Sequence, residues 1–400
     1  MILAFEMTWT GTTHAPGNFS TLQTMALAWP SQPIRMFADE SHLRELRANT
    51  PLPNLTFYPV TISTLYPGKT QIVSPRRFLT EFAIIRAALA AAPPGEPCLI
   101  MLISATPTAV LAARIAARLT SRRIAIQVGL HGNLNDINGW RPRNPILRQF
   151  DLRSLMTGRQ PPHLRYLVLE DSIKAELARL LPAAAPQTDV LPLPINAAEL
   201  QAAQTTTPPP RDSRIRIGFV GQATQAKGID TFLRLAADFQ SRHPSRIAFT
   251  LVGRAMPGTD LAPYAPLADP VGTSHLPRAD FIARLASLDY VILPFRPGYY
   301  DLAASGALID AITWLKPVIA TNLPFVTALF TRHGDLGHLC PDETSLHTTL
   351  EDILANPPPN PRYTIQRETL RQARDSRTPA ALARQYRALT EAGFPGLLKS

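Results

Sequence analysis

Residues 288–321 contain the pattern that most restricts the fold of this chain. Tyr290–Pro294 is apolar and ends at a proline, as is typical of a short strand buried in a parallel sheet. After a loop, Ser305 is the predicted N-cap of the amphipathic run Ala307–Leu315. A Lys-Pro pair ends that run, and Val318–Thr321 is a second predicted strand. The order strand, loop, helix, strand predicts a parallel sheet with an anion at the helix N-terminus, and a diphosphate suits such a site.

Predicted strands and helices alternate along most of the chain, which favours an α/β fold with doubly wound parallel sheets. Two alternating stretches, residues 1–195 and 214–375, are separated by the polar, proline-rich residues 196–213, which we interpret as a linker. Beyond the opening pattern only small elements are predicted, until a last helix in residues 376–400 that is expected to pack back on the first domain. Two such domains facing each other across a cleft would hold an active site in that cleft.

The chain has 400 residues, and its hydrophobic content of 45% is enough for two cores. It has two cysteines, Cys98 and Cys340, so no disulfide framework is implied and a reducing compartment is expected. The first residues, MILAFEMTWTG, lack the basic region of a signal peptide. No apolar run approaches the roughly 18 residues that span a bilayer. We therefore expect a cytoplasmic protein, soluble or peripheral on the inner face of the cell membrane.

The positive charge of the chain favours an anionic partner, since Lys and Arg exceed Asp and Glu by 40 − 30 = 10. Six arginines lie between residues 132 and 165 against two acidic residues, namely Arg141, Arg143, Arg148, Arg153, Arg159 and Arg165. This segment is either a solvated helical connection or a cationic rim that meets an anionic membrane surface or a phosphorylated acceptor. Nucleic acid is not expected as a partner, because no known nucleic-acid-binding module surrounds the arginines.

Two features of the first domain are candidates for ligand contact. The loop 8–18 follows the first predicted strand, and Gly11 within it would let the backbone approach a ligand closely. The loop is not a GxGxxG fingerprint, so a dinucleotide site is not indicated. His131 follows the predicted strand Ile124–Val128, where it would either be structural or hydrogen-bond a sugar hydroxyl.

Four stretches of the second domain resemble one known family. They are Gly218–Gln222 with Lys227–Asp230, Leu251–Gly253, the strand LDYVILP, and SGALIDAITWLKPVIATNLP. In this order and at this spacing they resemble the donor domain of the retaining glycosyltransferases of the GT-B fold, family 4, over most of residues 214–325. The first domain matches that family only loosely. The resemblance implies a fold of two Rossmann-like domains and the retaining transfer of a sugar from a nucleotide-diphosphate donor to a saccharide or lipid-linked acceptor, in bacterial polysaccharide or glycolipid biosynthesis.

The chemistry of that reaction explains the residue types. Breaking the bond at the anomeric carbon leaves negative charge on the diphosphate, so positive charge and N–H donors are needed there. Lys227 is the first candidate for that contact, and Asp310 is expected to accept hydrogen bonds from the nucleotide ribose. Gln222 stands where the family has an arginine, so Arg254 is a candidate to supply charge.

The predicted site residues fall into two groups. Predicted to act in the reaction are His131, Lys227 and Gln222. Predicted to bind the donor are Gly11, Gly221, Lys227, Arg254, Ser305, Gly306, Ala307, Leu308 and Asp310, with the backbone N–H groups of 306–308 on the phosphates. No DxD motif and no metal-ligand spacing is present, so neither a metal nor another cofactor is expected.

One departure from the family pattern leaves other functions open. Leu302 stands where the family has the first glutamate of an E-x7-E pair, whose carboxylate contacts the donor sugar. Asp301 would substitute if the loop shifted by one residue, and Tyr299, Tyr300 or Ser305 could hold the sugar instead. The alternatives are a non-catalytic homologue that binds a sugar nucleotide, a sugar-nucleotide epimerase, and, least favoured, a nucleic-acid-binding protein.

Overall fold

The computed structural model describes residues 1–49, 51–62, 74–131, 134–138, 142–208, 212–298 and 300–398. The chain forms two compact units. The first comprises Met1–Asn196, Leu302–Ala304 and Arg377–Ser400, and the second comprises Ala197–Asp301 and Ser305–Ser376.

The first unit contains one parallel sheet with helices between its strands. Its strands are β1 (Ile2–Phe5), β2 (Ile34–Ala38), β3 (Leu55–Pro59), β4 (Cys98–Leu102), β5 (Ile124–Gly129), β6 (Leu164–Val168) and β7 (Thr188–Val190). Its helices are α1 (Ala15–Ala28), α2 (Glu40–Arg47), α3 (Pro75–Ala90), α4 (Pro107–Arg118), α5 (Pro145–Arg148), α6 (Leu152–Thr157) and α7 (Asp171–Leu180). Leu134–Asn138 and Ala185–Gln187 are 3-10 turns. The strand order is β3-β2-β1-β4-β5-β6-β7, and every recorded pair is parallel.

The central strands of this sheet are buried on both faces. All residues of β1, β4 and β5 are buried, as is expected where helices cover both sides of a parallel sheet. The last helix of the chain (Pro379–Gly393) belongs to this unit and packs against α1. Its Tyr386 hydroxyl donates to Gln127 Oε1 of β5 at 2.5 Å, and Arg377 pairs with Glu170 at 3.0 Å. The C-terminal residues are thereby fixed to the first sheet.

The second unit contains a smaller parallel sheet. Its strands are β8 (Ile215–Ala223), β9 (Ile247–Ala255), β10 (Tyr290–Leu293), β11 (Val318–Thr321) and β12 (Gly337–Cys340). Its helices are α8 (Ala197–Thr205), α9 (Ile229–Arg242), α10 (Arg278–Ser287), α11 (Gly306–Thr313), α12 (Pro324–His333), α13 (Glu343–Ala355) and α14 (Pro361–Asp375), so Pro379–Gly393 is α15. Gln225–Lys227 and Ala262–Tyr264 are 3-10 turns. The strand order is β12-β11-β10-β8-β9, again parallel throughout.

The α/β fold class with two doubly wound parallel sheets is confirmed, but two stretches differ from their prediction. Residues 197–205, assigned to the linker, form α8, because Ala, Glu, Leu and Gln are strong helix formers whatever their polarity. After Thr321, where only small elements are predicted, the chain forms three full helices and a strand. One of these helices, α14, is polar, so apolar periodicity in the sequence does not mark it. Among the described helices, none combines the length and hydropathy of a bilayer-spanning segment.

Candidate functional site

The second unit carries a loop cluster where its strand order reverses. β8 and β10 are neighbours in the sheet, and their crossovers lead to opposite sides, so a crevice opens beyond their carboxyl ends. The loops that follow them touch: a Cβ on Gly228 would lie 1.8 Å from the Pro294 carbonyl oxygen. Gly228 also has φ +74°, a conformation that glycine adopts without strain. Only glycine therefore allows these two loops to meet.

Lys227 lies in this cluster, at the end of the 3-10 turn Gln225–Lys227. Its Nζ lies 3.3 Å from the position of a Cβ on Gly221, whose φ is +103°. Gly221 thus leaves the space that the lysine side chain uses. Burial lowers the pKa of Lys227, and the carboxyl of Asp310 opposes that shift. Lys227 is a partly buried cation without a hydrogen bond to any other described side chain, as a ligand-binding lysine would be.

Asp310 lies on α11 and is partly buried. Burial raises the pKa of Asp310 to about 7; the charge of Glu199 adds to the effect, while Arg278 and Lys227 oppose it. Glu199 is itself paired with Arg278 at 2.7 Å, and it lies on α8, which packs on α11. Asp310 has no hydrogen bond to another side chain in the described parts of the chain. Its carboxyl is therefore free to accept hydrogen bonds from a ligand.

The N-terminus of α11 is the third component. Ser305 is its N-cap, and its Oγ accepts a hydrogen bond from the Leu308 N–H at 3.3 Å. The Leu308 N–H is thus occupied by the cap, whereas those of Gly306 and Ala307 have no partner within the helix. Nothing lies within 4 Å of a Cβ built on Gly306. The helix dipole and the Gly306 and Ala307 N–H groups, which are unbonded within the helix, therefore lie at an end where Gly306 adjoins open space, which favours an anion.

Gln222 and Arg254 lie side by side on neighbouring strands. They are register partners of β8 and β9, with Gln222 exposed and Arg254 partly buried. The Arg254 Nε is buried and has no hydrogen-bond partner among the described residues. Gly253 must be glycine, since a Cβ there would lie 1.8 Å from the Gly221 carbonyl oxygen. The structure thus places the arginine that the sequence offered as a substitute next to the uncharged Gln222.

In the first unit, the loop after β1 is fixed by a buried polar network. Glu6 is fully buried, and its carboxylate accepts from the Thr8 N–H at 2.8 Å and from Asn18 Nδ2 at 3.0 Å. Asn18 Nδ2 also lies 3.0 Å from His42 Nε2, and His42 Nδ1 lies 2.9 Å from the Gly11 carbonyl oxygen. Burial raises the pKa of Glu6 to about 7, despite these hydrogen bonds. Gly11 has φ +55°, so the loop turns at a glycine.

His131 is partly buried and follows β5 after one intervening residue, Leu130. Its ring lies 4.8 Å from that of His14 in an edge-on arrangement, and the ring of Trp9 lies 4.4 Å from that of His14. Burial lowers the pKa of His131 to about 3, and the neighbouring His14 adds to the shift. The imidazole is therefore neutral at pH 7 and able to donate or accept one hydrogen bond. Gly132 and Asn133 lie outside the described residues.

Sequence reasoning missed Glu6, Asn18, His42 and His14. The available signal was a glutamate at the end of the apolar run MILAF, where a charged side chain must be buried and hydrogen-bonded. The contact between Asn18 and His42, which lies on α2, is visible only in the fold.

The loop between β10 and α11 contains the position of the missing glutamate. Leu302 is 1% exposed and belongs to the hydrophobic core of the first unit, whereas Asp301 is exposed. Of the two neighbouring residues, only Leu302 is buried, and the substitution of the glutamate by Asp301 stays a prediction. The ring of Tyr300 lies 4.6 Å from that of Phe295, and Tyr299 lies outside the described residues. Across the described ranges, no group of three His, Cys, Asp or Glu side chains is arranged to hold a metal ion.

Comparison with known proteins locates the fold. No family model matches the chain, and no curated protein matches it. A glycosyltransferase from Rickettsia africae ESF-5 superposes with a TM-score of 0.67 at 13% identity, covering 99% of this chain and 98% of that one. The sucrose-phosphate synthase of Thermosynechococcus elongatus gives a TM-score of 0.63 at 18% identity, with 98% and 99% covered. WaaG, a glycosyltransferase involved in lipopolysaccharide biosynthesis, gives 0.62 at 13% identity, with 99% and 100% covered.

The fold and its polar loop clusters define the class of protein. The chain is a protein of two Rossmann-like units, each with polar residues gathered where strands end in loops. More narrowly, it has the GT-B fold that the resemblance implies, over nearly the full length of the matched structures. At 10% to 18% identity, the similarity shows the fold.

Proposed function

We propose that this protein is a retaining glycosyltransferase that moves a sugar from a nucleotide-diphosphate donor to a saccharide or lipid-linked acceptor. The observation that carries the proposal is the position of Lys227, held against Gly221 and subject to the field of Asp310. Together with the two free N–H groups of α11, Lys227 gives the positive potential that a departing diphosphate requires. Arg254 is the proposed second cation, since its Nε is buried without a partner.

The proposed roles follow from the charges. Lys227 and the α11 N-terminus contact the diphosphate, and Asp310 accepts hydrogen bonds from vicinal ribose hydroxyls. A bound diphosphate would offset the cost of burying Lys227. His131, which is neutral, is proposed to hydrogen-bond a hydroxyl of the donor sugar. No metal is required by this assignment, because cationic side chains and N–H groups supply the positive potential.

The proposed acceptor and location draw on two matched proteins and on the net charge of the chain. One matched protein is described as involved in lipopolysaccharide biosynthesis, and another as a trehalose-6-phosphate protein of E. coli bound with UDP-2-fluoro glucose. From these proteins we infer that this chain uses a nucleotide-sugar donor and an acceptor in bacterial polysaccharide or glycolipid assembly. The net charge of +10 is in keeping with a protein on the inner face of the cell membrane, which carries anionic lipids.

Donor turnover tests the proposal. The full-length protein is incubated with UDP-, GDP-, ADP- and CDP-sugars, and nucleoside diphosphate release is measured with and without saccharide acceptors. We expect release from one donor, a product whose anomeric configuration by NMR equals that of the donor, and loss of at least tenfold in rate for Lys227→Ala. Lys174→Ala, a lysine of α7 in the first unit, is the control that should keep wild-type turnover.

A non-catalytic sugar-nucleotide-binding protein is the second candidate. It is favoured by the burial of Leu302 in a hydrophobic core and by the uncharged Gln222, which remove two groups that the family uses. Binding of a nucleotide diphosphate without transfer or donor hydrolysis would establish this alternative and contradict the transferase.

A further inference from the structure

A pocket lined by arginines lies in the first unit, between α4, α5 and α6. Its volume is about 330 Å³, and we call it the basic pocket. Its lining includes Arg114 and Arg118 of α4 and Arg148 of α5, together with the apolar Leu111, Ile115 and Leu155. Only Arg148 of these arginines belongs to the cationic rim predicted from the sequence. Arg165, at the other end of that rim, forms a bidentate pair with Asp189 and is not available.

The arginines of the basic pocket are not neutralised within the part of the chain that the structure describes. No Asp or Glu is among the described lining residues. Arg118 is exposed, with no hydrogen bond or ion pair from its guanidinium to another described residue. Arg114 and Arg148 donate to the backbone carbonyls of Leu155, at 3.2 Å, and Pro142, at 2.8 Å, and keep other N–H groups free.

The electrostatic effects of these residues point the same way. Burial lowers the pKa of Arg114; Tyr166 opposes that shift, and the charge of Arg118 adds to it. The pKa of His163 is lowered by burial and then by Arg118 and Arg114, and its Nε2 is buried without a partner. No carboxylate contributes to either shift. Arg114 and Arg118 thus reinforce each other's positive potential at the pocket, which favours a bound anion.

Much of the remaining wall is apolar. Leu111, Ile115 and Leu155 line the pocket beside the polar Gln149 and Ser154. Two exposed apolar side chains directly follow lining residues in the sequence, namely Ile146 at 66% and Leu119 at 60%. Free phosphate would leave this surface in water. A ligand with an apolar portion beside its anionic group would cover both kinds of surface, and burial of apolar area would add to its affinity.

We propose that the basic pocket binds a phosphate monoester attached to an apolar group, with the guanidinium groups of Arg118 and Arg148 on the phosphate. Arginine suits this ligand because its planar donors match phosphate oxygens. The site is separate from the loops at the strand ends. α4 starts at those loops with Pro107, and Arg118 ends the helix, roughly 16 Å further along at 1.5 Å per residue. The proposal does not rest on sugar transfer.

The test uses n-hexyl phosphate, inorganic phosphate and n-hexanol in titration calorimetry of the full-length protein. We expect 1:1 binding of hexyl phosphate, and binding at least tenfold weaker for each of the other two probes. The double variant Arg118→Gln/Arg148→Gln should bind hexyl phosphate at least tenfold more weakly, since it loses both charge-assisted contacts with the phosphate. Arg118→Lys should retain more affinity than Arg118→Gln, and higher salt should weaken binding.

Arg384→Gln, an exposed arginine on α15 of the same unit, is the matched control and should bind like wild type. Equal affinity of wild type and the double variant, equal affinity for inorganic and hexyl phosphate, or no binding of hexyl phosphate would overturn the proposal. Sedimentation with phosphatidylcholine vesicles, with and without phosphatidic acid, then identifies the source. Co-sedimentation that needs both phosphatidic acid and Arg118 assigns the pocket to a lipid headgroup. Binding of hexyl phosphate without such co-sedimentation assigns the pocket to a soluble amphiphile. Either result upholds the site.

Discussion

At the scale of single residues, glycines determine where the charged groups of the second unit can lie. Gly221 leaves room for Lys227, Gly228 lets two loops meet, and Gly253 lets β9 approach β8. These glycines act through the space that they leave and not through a side chain. The sequence predicted Gly221 and Lys227 as site residues but not that the lysine side chain lies against the glycine. The distance between them depends on the positive φ of Gly221, which no sequence pattern reveals.

Replacing Gly221 by alanine separates backbone strain from loss of the lysine position. The new Cβ would lie 3.3 Å from Lys227 Nζ at φ +103°, so the variant should lose about 1 kcal/mol of stability and most of its affinity for a nucleotide diphosphate. Gly258→Ala is the control, since Gly258 has φ +80° and nothing within 4 Å. We expect a similar stability loss and unchanged affinity there, by thermal denaturation and titration calorimetry. Equal affinities of the two variants would contradict the role of Gly221.

The raised pKa of Asp310 makes a prediction about pH. Its folded pKa of about 7 exceeds the unfolded value of about 3.9, so folding takes up a proton and stability falls as pH rises between these values. Asp310→Asn removes that dependence. The melting temperature of the variant, relative to wild type, should therefore rise from about pH 4 to pH 7 and then level off. Glu6 titrates alike in both proteins and cancels. A constant difference across this range would show that Asp310 is not perturbed.

At the scale of elements, two helices shape the site of the second unit. α11 presents its N-terminus to open space, and α8 brings Glu199 into the field of Asp310. The start of α11 follows from Ser305 and the preceding loop, and the sequence predicted it to within one residue. α8 lies in the stretch assigned to a linker because residues 196–213 are polar and rich in proline, and its effect on Asp310 depends on tertiary packing.

Removing the cap of α11 should affect both stability and binding. Ser305→Ala loses the acceptor of the Leu308 N–H, which costs about 1 kcal/mol and loosens the first turn. We expect weaker nucleotide diphosphate binding by severalfold, because the Gly306 and Ala307 N–H groups are no longer fixed. Thr378→Ala removes the cap of α15 in the first unit, where Thr378 Oγ1 accepts from the Ala381 N–H at 3.3 Å. Denaturant unfolding should show similar losses for both variants, with binding weakened only in Ser305→Ala; a binding loss in both would refute the local effect.

At the scale of the whole molecule, the sequence sufficed for the fold class and for much of the second unit. Short apolar strands such as Tyr290–Leu293 are buried on both faces, so their composition alone marks them. The polar network of Glu6, Asn18 and His42 was not predictable, because its members meet only once β1, α1 and α2 have packed together. The basic pocket likewise joins residues of α4 and α5, distant in sequence, that the arginine-rich segment alone did not group.

The central claim is that the second unit holds a nucleotide diphosphate through Lys227. The most direct measurement is titration calorimetry of UDP, GDP, ADP and CDP against wild type, Lys227→Ala and the control Lys174→Ala. A cation on a phosphate contributes about 1.5–3 kcal/mol, so we predict that one nucleotide binds and that its affinity falls by at least tenfold in Lys227→Ala alone. Binding of none of the four nucleotides, or equal binding by wild type and Lys227→Ala, would contradict the account.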